Sequence, residues 1–305
     1  MDITVVINQM IILFLLMAVG YIIARVGVVG SVFKDNLSTF IINVTMPLMI
    51  ISAVTSSTVQ GNAEDVLTVF ILSIVTYLVL PVLAFVLNKI LSVPKEDRNL
   101  YTYMTIFSNI AFMGFPVILS IFGEGAIFYA AIFNLMFNFM NFSLGIALMT
   151  EDNSGHFDIK NFLKPGIFAS VLAVILFFTK ITLPAPIVDT MKNLGDTTSP
   201  LAMIVIGMSL SQIPLRSVFT EIRLYPYTIL KQIIIPYLSW LLLRNLITSD
   251  LILGITVIVI AMPVGTSAVL FSTEYHGNTI LATKTVFITT LASLITIPLI
   301  VYTLL

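Results

Sequence analysis

The segment Asn109-Ile-Ala-Phe-Met-Gly114-Phe-Pro116 places glycine and proline inside a long apolar region of the chain. A second interruption, Pro263-Val-Gly265, lies in another apolar segment. Proline lacks a backbone donor and clashes with the carbonyl four residues earlier, and glycine permits unusual backbone dihedrals. We therefore expect helix breaks at Gly114-Phe-Pro116 and at Pro263-Val-Gly265, in the middle of two membrane spans. A simple proline kink is the alternative at each position.

The composition of the chain is that of a polytopic membrane protein. Of its 305 residues, 58% are apolar and 10% are charged, and the mean hydropathy is +1.09. Ordinary soluble domains carry about 25% charged residues. The net charge of −1 and the lack of a basic patch exclude a nucleic-acid partner. Cysteine is absent and there are two histidines, so we expect no disulfide, no thiol catalysis, no metal site and no other cofactor.

About ten segments are apolar enough to cross a bilayer core of about 30 Å as helices. The basic residues predict their orientation, because cytoplasmic loops are enriched in Lys and Arg. With the N-terminus outside, eleven basic residues fall on the cytoplasmic side and three on the other. We therefore predict a multi-pass protein of the cell membrane with both termini outside. The predicted spans lie near 7–24, 35–56, 66–88, 101–122, 126–149, 162–180, 190–212, 224–243, 251–273 and 279–304.

The polar loop 150–161 divides the chain into residues 1–149 and 162–305, each with five spans. Because five is odd, two similar halves would have opposite orientations in the membrane. The stretch Asn43-Val-Thr-Met-Pro47 parallels Asp196-Thr-Thr-Ser-Pro200, and Pro116 parallels Pro263. Inverted repeats with interrupted spans at matching positions are typical of secondary transporters. We predict an all-helical fold with a five-plus-five inverted repeat and broken spans four and nine.

The interrupted segments resemble those of the auxin efflux carrier family, which includes bacterial permeases and plant auxin exporters. The stretch from Asn109 to Pro116 resembles the family's Asn-x-x-x-Met-Gly-x-Pro element. The stretch from Pro263 to Tyr275 resembles its Pro-x-Gly…Phe-x-x-Glu-Tyr element. Weaker similarities extend over nearly the whole chain, at Gly20-Tyr21, at Asn43 to Pro47 and at Thr290 to Pro298.

This resemblance implies a specific architecture. Spans 1, 2, 6 and 7 would form a scaffold and the face of a homodimer. Spans 3–5 and 8–10 would form a transport unit that moves by elevator-type alternating access, with helices four and nine crossing inside it. The plant members have a long loop between spans five and six. The short loop 150–161 takes its place here, so regulation through that loop is not expected.

The two interruptions supply the predicted substrate site. The Asn109 amide can donate to a carboxylate, with a helix–helix hydrogen bond as the alternative. Lys231 and Lys284 are expected to extend to the cytoplasmic surface, which leaves the site without a fixed cation. Helix dipoles and amides would then bind the anion. The predicted substrate-binding residues are Asn109, Gly114, Pro116, Pro263, Gly265, Thr266, Ser267 and Asn138.

Two further predictions concern polar residues within spans. Asn138 shares a helix face with Asn134 and Asn141, and this face either lines the transport cavity or packs against a neighbour. Asp196 is the candidate for coupling to H⁺ or Na⁺, because carboxylates inside membranes are functional by default. A helix N-terminal cap is the alternative role of Asp196.

The leading hypothesis is a secondary active or facilitated transporter of a small organic anion, such as a dicarboxylate or an auxin-like acid. A sodium-coupled symporter of the bile-acid type and a passive channel are the alternatives. An enzyme is not expected, because His156 and His276 fall in or near polar loops and no catalytic pair lies within a span. The sequence also lacks a Walker A pattern, which argues against ATP-driven transport by this chain.

Overall fold

The structure is a computed structural model that describes residues 3–55, 63–149, 165–212, 218–275 and 277–305. In these ranges the chain is helical and has no β-strand, and an isolated antiparallel bridge joins Ser108 to Val264. The all-helical prediction is confirmed for the described chain. The predicted cytoplasmic loop 150–161 and both histidines lie outside the described residues.

The helices fall into two groups on either side of residues 150–164, and π denotes a π-helical segment. The first group is α1 (Ile3–Arg25), α2 (Ser31–Phe40), π1 (Ile41–Thr45), α3 (Met46–Thr55), α4 (Ala63–Ile90), α5 (Arg98–Ile106), π2 (Ile110–Gly114), α6 (Phe115–Phe122), α7 (Gly125–Met140), π3 (Asn141–Gly145) and α8 (Ile146–Met149). The second is α9 (Pro165–Thr179), α10 (Ala185–Asp196), α11 (Thr198–Leu210), α12 (Leu224–Ile229), π4 (Leu230–Ile234), α13 (Ile235–Leu243), α14 (Asp250–Ala261), α15 (Ser267–Glu274) and α16 (Thr279–Leu304).

Two of the described helices are long and apolar enough to cross a bilayer unaided, at Glu64–Ile90 and Thr279–Leu304. A third candidate consists of Gly125–Met140 and Ser143–Met149, which meet at an angle of 41°. Apart from α1, which covers the predicted span 7–24, the other predicted spans correspond to shorter or interrupted helices, so the count of ten remains a prediction. Large apolar side chains on α4 are exposed, with Leu78 at 60% and Phe85 at 70%. Such a surface matches lipid, so the helices are those of a membrane protein.

Three of the π-helical segments share a sequence feature: a proline lies two residues after the end of each. Pro47 follows π1, Pro116 follows π2 and Pro236 follows π4. The residue directly before each proline donates its N–H to the carbonyl five residues earlier, as Phe115 does to Ile110. This wider turn moves backbone away from the proline ring, which would clash in a regular helix. The predicted break at Gly114-Phe-Pro116 is therefore wrong, because the chain stays helical through Pro116.

The first break lies instead at residues 107–109, directly before π2. Phe107 has φ −99° and ψ 89°, and Asn109 has φ −81° and ψ 65°. The second break is where the sequence predicts it. Helix α14 ends at Ala261, and Met262 is extended with ψ 146°, as the residue before a proline prefers.

The helices α1 and α11 pack with their backbones in close contact at two glycines. A Cβ added to Gly20 would overlap the carbonyl oxygen of Ile204, and one added to Gly207 would overlap that of Met17. The elements that the sequence aligns around Pro47 and Pro200 also touch, because a Cβ on Gly195 would lie 2.7 Å from Met49 Cα. Small residues thus set the spacing of these helix pairs.

Candidate functional site

The two broken helices meet at their unwound segments, and residues 107–109 together with 263–265 are called the crossing below. The Asn109 N–H donates to the Pro263 carbonyl at 2.8 Å, and the Gly265 N–H donates to the Phe107 carbonyl at 3.0 Å. These bonds flank the Ser108–Val264 bridge on either side. Each segment therefore satisfies backbone groups of the other, and this mutual pairing replaces the helical hydrogen bonds that both have lost.

The two hydrogen bonds are related by a local two-fold axis through the bridge. In this arrangement Asn109 corresponds to Gly265, and Phe107 corresponds to Pro263. The predicted correspondence of Pro116 with Pro263 stays a prediction, because Pro116 takes no part in this pairing. The cause is the π2 turn, which accommodates Pro116 inside a helix, whereas no π turn precedes Pro263.

Asn109 is buried, at 4% exposure, and begins the helical segment that follows the first break. Its carbonyl accepts from the N–H groups of Met113 at 3.3 Å and Gly114 at 3.0 Å. Its side-chain Nδ2 has no hydrogen-bond partner among the described residues. A buried donor left without a partner costs about 1–3 kcal/mol. An acceptor on a ligand would remove that cost.

The second broken helix restarts next to Asn109's symmetry mate. A Cβ on Gly265 would lie 3.1 Å from both the Phe107 carbonyl oxygen and Ser267 Oγ, so only glycine fits without movement. Thr266 and Ser267 are half-buried, and Ser267 is the first residue of α15. Six of the predicted site residues are therefore grouped at or beside the crossing, namely Asn109, Gly114, Pro263, Gly265, Thr266 and Ser267.

The asparagines of α7 and π3 do not act as one set. Asn138 is half-buried, and its amide donates to the Asn134 carbonyl of its own helix at 2.8 Å. Asn141 instead accepts a 2.6 Å hydrogen bond from the Tyr103 hydroxyl of α5. No described contact joins Asn138 to the crossing. Asn141 contacts the crossing indirectly, because its partner Tyr103 packs against Phe107.

An aromatic cluster surrounds the Phe107 side of the crossing. The Phe107 ring lies 4.6 Å from that of Tyr103 and 5.6 Å from that of Phe137, measured between centroids. Tyr103 also packs against Phe271 of α15 at 5.6 Å. This cluster joins α5, α7 and α15 around the first unwound segment, and it gives that side of the crossing apolar walls.

A lysine on the other side of the crossing is the main residue that the sequence analysis placed wrongly. Lys231 of π4 is buried, at 2% exposure, and does not extend to a surface. Its Nζ donates to Ser108 Oγ at 2.8 Å and lies 3.4 Å from the Thr105 carbonyl oxygen. The expectation that the site has no fixed cation is therefore wrong. Lys284, by contrast, pairs with Glu221 at 3.4 Å.

Gln232, the residue after Lys231, supports the second unwound segment. Its amide donates to the Thr289 carbonyl at 2.8 Å, and the Thr289 hydroxyl accepts from the Val264 N–H at 3.2 Å. The π4 segment thus contacts one half of the crossing through Lys231 and supports the other through α16.

A periodic pattern in the sequence predicts that Lys231 is buried. Leu224, Tyr227, Thr228 and Lys231 recur at spacings of three and four residues and are buried together. Such spacing defines one face of a helix. The hydropathy of the window carries no information about which face is buried, so it does not distinguish a buried Lys231 from one at the membrane surface.

Pro116 and Asp196 line a separate cavity of about 500 Å³, together with Glu124 and Lys192. Lys192 and Glu124 form a salt bridge of 2.7 Å between α10 and the turn before α7. Asp196 is exposed and ends α10, while Thr197 is the N-cap of α11. The alternative role of Asp196 as the N-cap is therefore wrong. Its role in ion coupling stays a prediction, and the structure puts it away from the crossing.

Known proteins place the chain in a family. A family model described as membrane transport protein matches residues 5–301. An uncharacterized transporter of Methanocaldococcus jannaschii is 25% identical over 302 residues, which cover 96% of both chains. An uncharacterized transporter of Methanothermobacter thermautotrophicus is 26% identical over 291 residues, which cover 93% of both chains. The chain, with its two interrupted helices, belongs to the membrane transport protein family of the auxin efflux carriers, and it is a transporter and not an enzyme.

Proposed function

We propose that this protein is a secondary transporter of a small organic carboxylate, which binds at the crossing. The observation that carries the proposal is the unpartnered Nδ2 donor of Asn109, buried where two helices restart. Half-helix N-termini beside an unwound segment carry partial positive charge and free N–H groups. A carboxylate is the ligand class that accepts from such donors.

Charge at the crossing supports an anion as well. Lys231 contributes a buried ammonium group on the Ser108 side. Among the described residues, the ion pairs all lie elsewhere, at Lys34, Lys192 and Lys284. No described carboxylate competes with the substrate for Lys231.

The architecture proposed with this function is a ten-span inverted repeat that works by an elevator mechanism. The two helix breaks, one in each half of the chain, and the contact between α3 and α10 support a repeat. In the proposed division, residues 1–149 and 162–305 each contribute scaffold and transport helices. The Lys192–Glu124 salt bridge would then join a scaffold helix to the transport unit. We further propose a homodimer through spans 1, 2, 6 and 7, located in the cell membrane with both termini outside.

Coupling distinguishes the proposal from its alternatives. A sodium-coupled symporter of the bile-acid type would require Na⁺ for uptake, and a passive channel would show no counterflow. The crossing offers amides, hydroxyls and an ammonium group, a donor set that suits an anion better than Na⁺. Asp196, in the separate cavity, is the remaining candidate for binding H⁺ or Na⁺.

The test is counterflow in proteoliposomes with radiolabelled monocarboxylates and dicarboxylates, with and without Na⁺ and a pH gradient. Replacing Asn109 by alanine removes a hydrogen bond to a charged ligand, an interaction of about 1.5–3 kcal/mol. We therefore expect the half-saturation concentration to rise about tenfold or more. Asn245→Ala is the matched control, because Asn245 is exposed and follows α13. Unchanged transport by Asn109→Ala, with the control also unchanged, would show that the crossing is not the binding site.

A further inference from the structure

We propose that Lys231 is the charge-selecting residue of the transporter and restricts the site to ligands with a single carboxylate. This inference rests on the proposed function and adds the charge of the substrate to it. It combines two features of the structure. Lys231 is a buried ammonium group without a carboxylate partner, and its hydrogen-bond partner Ser108 is adjacent in sequence to Asn109.

Lys231 is buried, and its burial carries an electrostatic cost. An ammonium group inside a membrane protein is expensive, and such groups pair with another charge or lie in a substrate pathway. The two contacts of Lys231 Nζ, Ser108 Oγ and the Thr105 carbonyl, are neutral. They provide hydrogen bonds but leave the positive charge uncompensated. A bound anion would supply the missing charge.

The Ser108 and Phe107 side chains lie on opposite sides of the first unwound segment. Successive side chains of an extended segment point to opposite sides. The Ser108 hydroxyl contacts Lys231, whereas the Phe107 ring packs among Tyr103 and Phe137 on the other side. Asn109 is the next residue after Ser108, and the hydrogen bonds of Lys231 Nζ go to Ser108 and Thr105 rather than to Asn109. Lys231 therefore acts on a ligand at Asn109 through the field across the crossing, as a positioning charge without direct contact.

The charge of Lys231 changes the affinity for a carboxylate by an amount that follows from Coulomb's law. An ammonium group about 8 Å from a carboxylate, at an effective dielectric constant of about 20, changes the affinity roughly thirtyfold. One cation balances one negative charge. A second carboxylate on the ligand would enter a region where the aromatic cluster around Phe107 offers no compensating charge. Monocarboxylates should therefore bind better than dicarboxylates of similar size.

The test measures binding by the purified full-length protein in lipid nanodiscs. The probes are two acids and their neutral amides, phenylacetate with phenylacetamide and succinate with succinamide, measured by isothermal titration calorimetry. The variants are Lys231→Gln and Lys231→Met. Replacement of a buried charge by an apolar residue of similar shape is often tolerated, so the methionine variant covers the case in which glutamine does not fold. Lys284→Gln is the matched control, because Lys284 pairs with Glu221 away from the crossing.

We expect wild type to prefer phenylacetate to both its amide and succinate. The Lys231 variants should lose about tenfold or more in affinity for phenylacetate while their affinity for phenylacetamide changes less than twofold. An unchanged preference for acid over amide would overturn the inference, and so would a parallel loss for both, which would mean a structural role. If Asn109→Ala abolishes binding while Lys231→Met does not, this inference fails and the proposed function stands. If wild type binds no carboxylate, the proposed function itself is refuted.

Discussion

Replacing Gly207 by alanine tests whether the α1–α11 pair is held together by backbone contact. The added Cβ would overlap the Met17 carbonyl oxygen and would lie 2.8 Å from both the Met17 carbonyl carbon and the Tyr21 nitrogen. Carbon atoms in favourable contact lie about 3.5–4.0 Å apart. Because the obstacles are backbone atoms, no side-chain rotation relieves them, and the helices must separate by about 1 Å.

That separation has a calculable cost. A gap of this size forfeits a quarter to a half of the dispersion energy of the facing atoms, and overpacking costs about 3 kcal/mol at the upper end of its usual range. Alanine offsets about 1 kcal/mol of this through its higher helix propensity. The net destabilisation is then about 2 kcal/mol, which corresponds to a melting temperature lower by about 3 °C at the usual unfolding entropy per residue.

The assay is thermal unfolding of purified protein in detergent, followed by circular dichroism. Gly30→Ala is the control, because a Cβ on Gly30 meets nothing within 4 Å. Gly20→Ala should behave like Gly207→Ala, and the double variant should cost less than the sum, since one separation relieves both clashes. If Gly207→Ala melts within 1 °C of Gly30→Ala, the close backbone packing of α1 and α11 is refuted.

Two further substitutions test a support of the crossing and the salt bridge in the separate cavity. Thr289→Val removes the hydroxyl that accepts from the Val264 N–H, so it should destabilise the protein by about 1–3 kcal/mol in thermal unfolding; an unchanged melting temperature would show that the bond contributes nothing. Lys192→Gln breaks the pair with half-exposed Glu124. Stability should change by less than about 1 kcal/mol, whereas the counterflow rate should change if the pair joins moving parts; an unaltered rate would contradict that role.

The two helix breaks differ in whether the local sequence predicts them. Pro263 has no π turn before it and the chain unwinds there, as proline chemistry predicts. Residues 107–109 contain neither glycine nor proline. Their unwinding depends on hydrogen bonds with Pro263 and Gly265, contacts that are distant in sequence. Local reasoning therefore finds the break that has a local cause, and it finds the other only as the partner of the first.

The position of charged residues shows the same limit. The rarity of carboxylates in apolar segments predicts a functional role for Asp196, yet Asp196 is exposed in a cavity with Glu124 and Lys192. The reach of long basic side chains predicts that Lys231 extends to the surface. Its burial follows from the helix face that it shares with Tyr227 and Thr228. The number of charged residues in a span gives only its hydropathy. The helix face on which a charged residue lies determines whether it contacts the site.

The crossing combines a symmetric backbone with asymmetric side chains. The two-fold axis relates Asn109 to Gly265 and Ser108 to Val264. One segment therefore carries the amide and the hydroxyl that contacts Lys231, while the other carries a glycine and an apolar side chain. The backbone alone would accept a ligand in two equivalent orientations. Since the polar groups belong to the first segment, a carboxylate should bind in one orientation, with its charged end at Asn109.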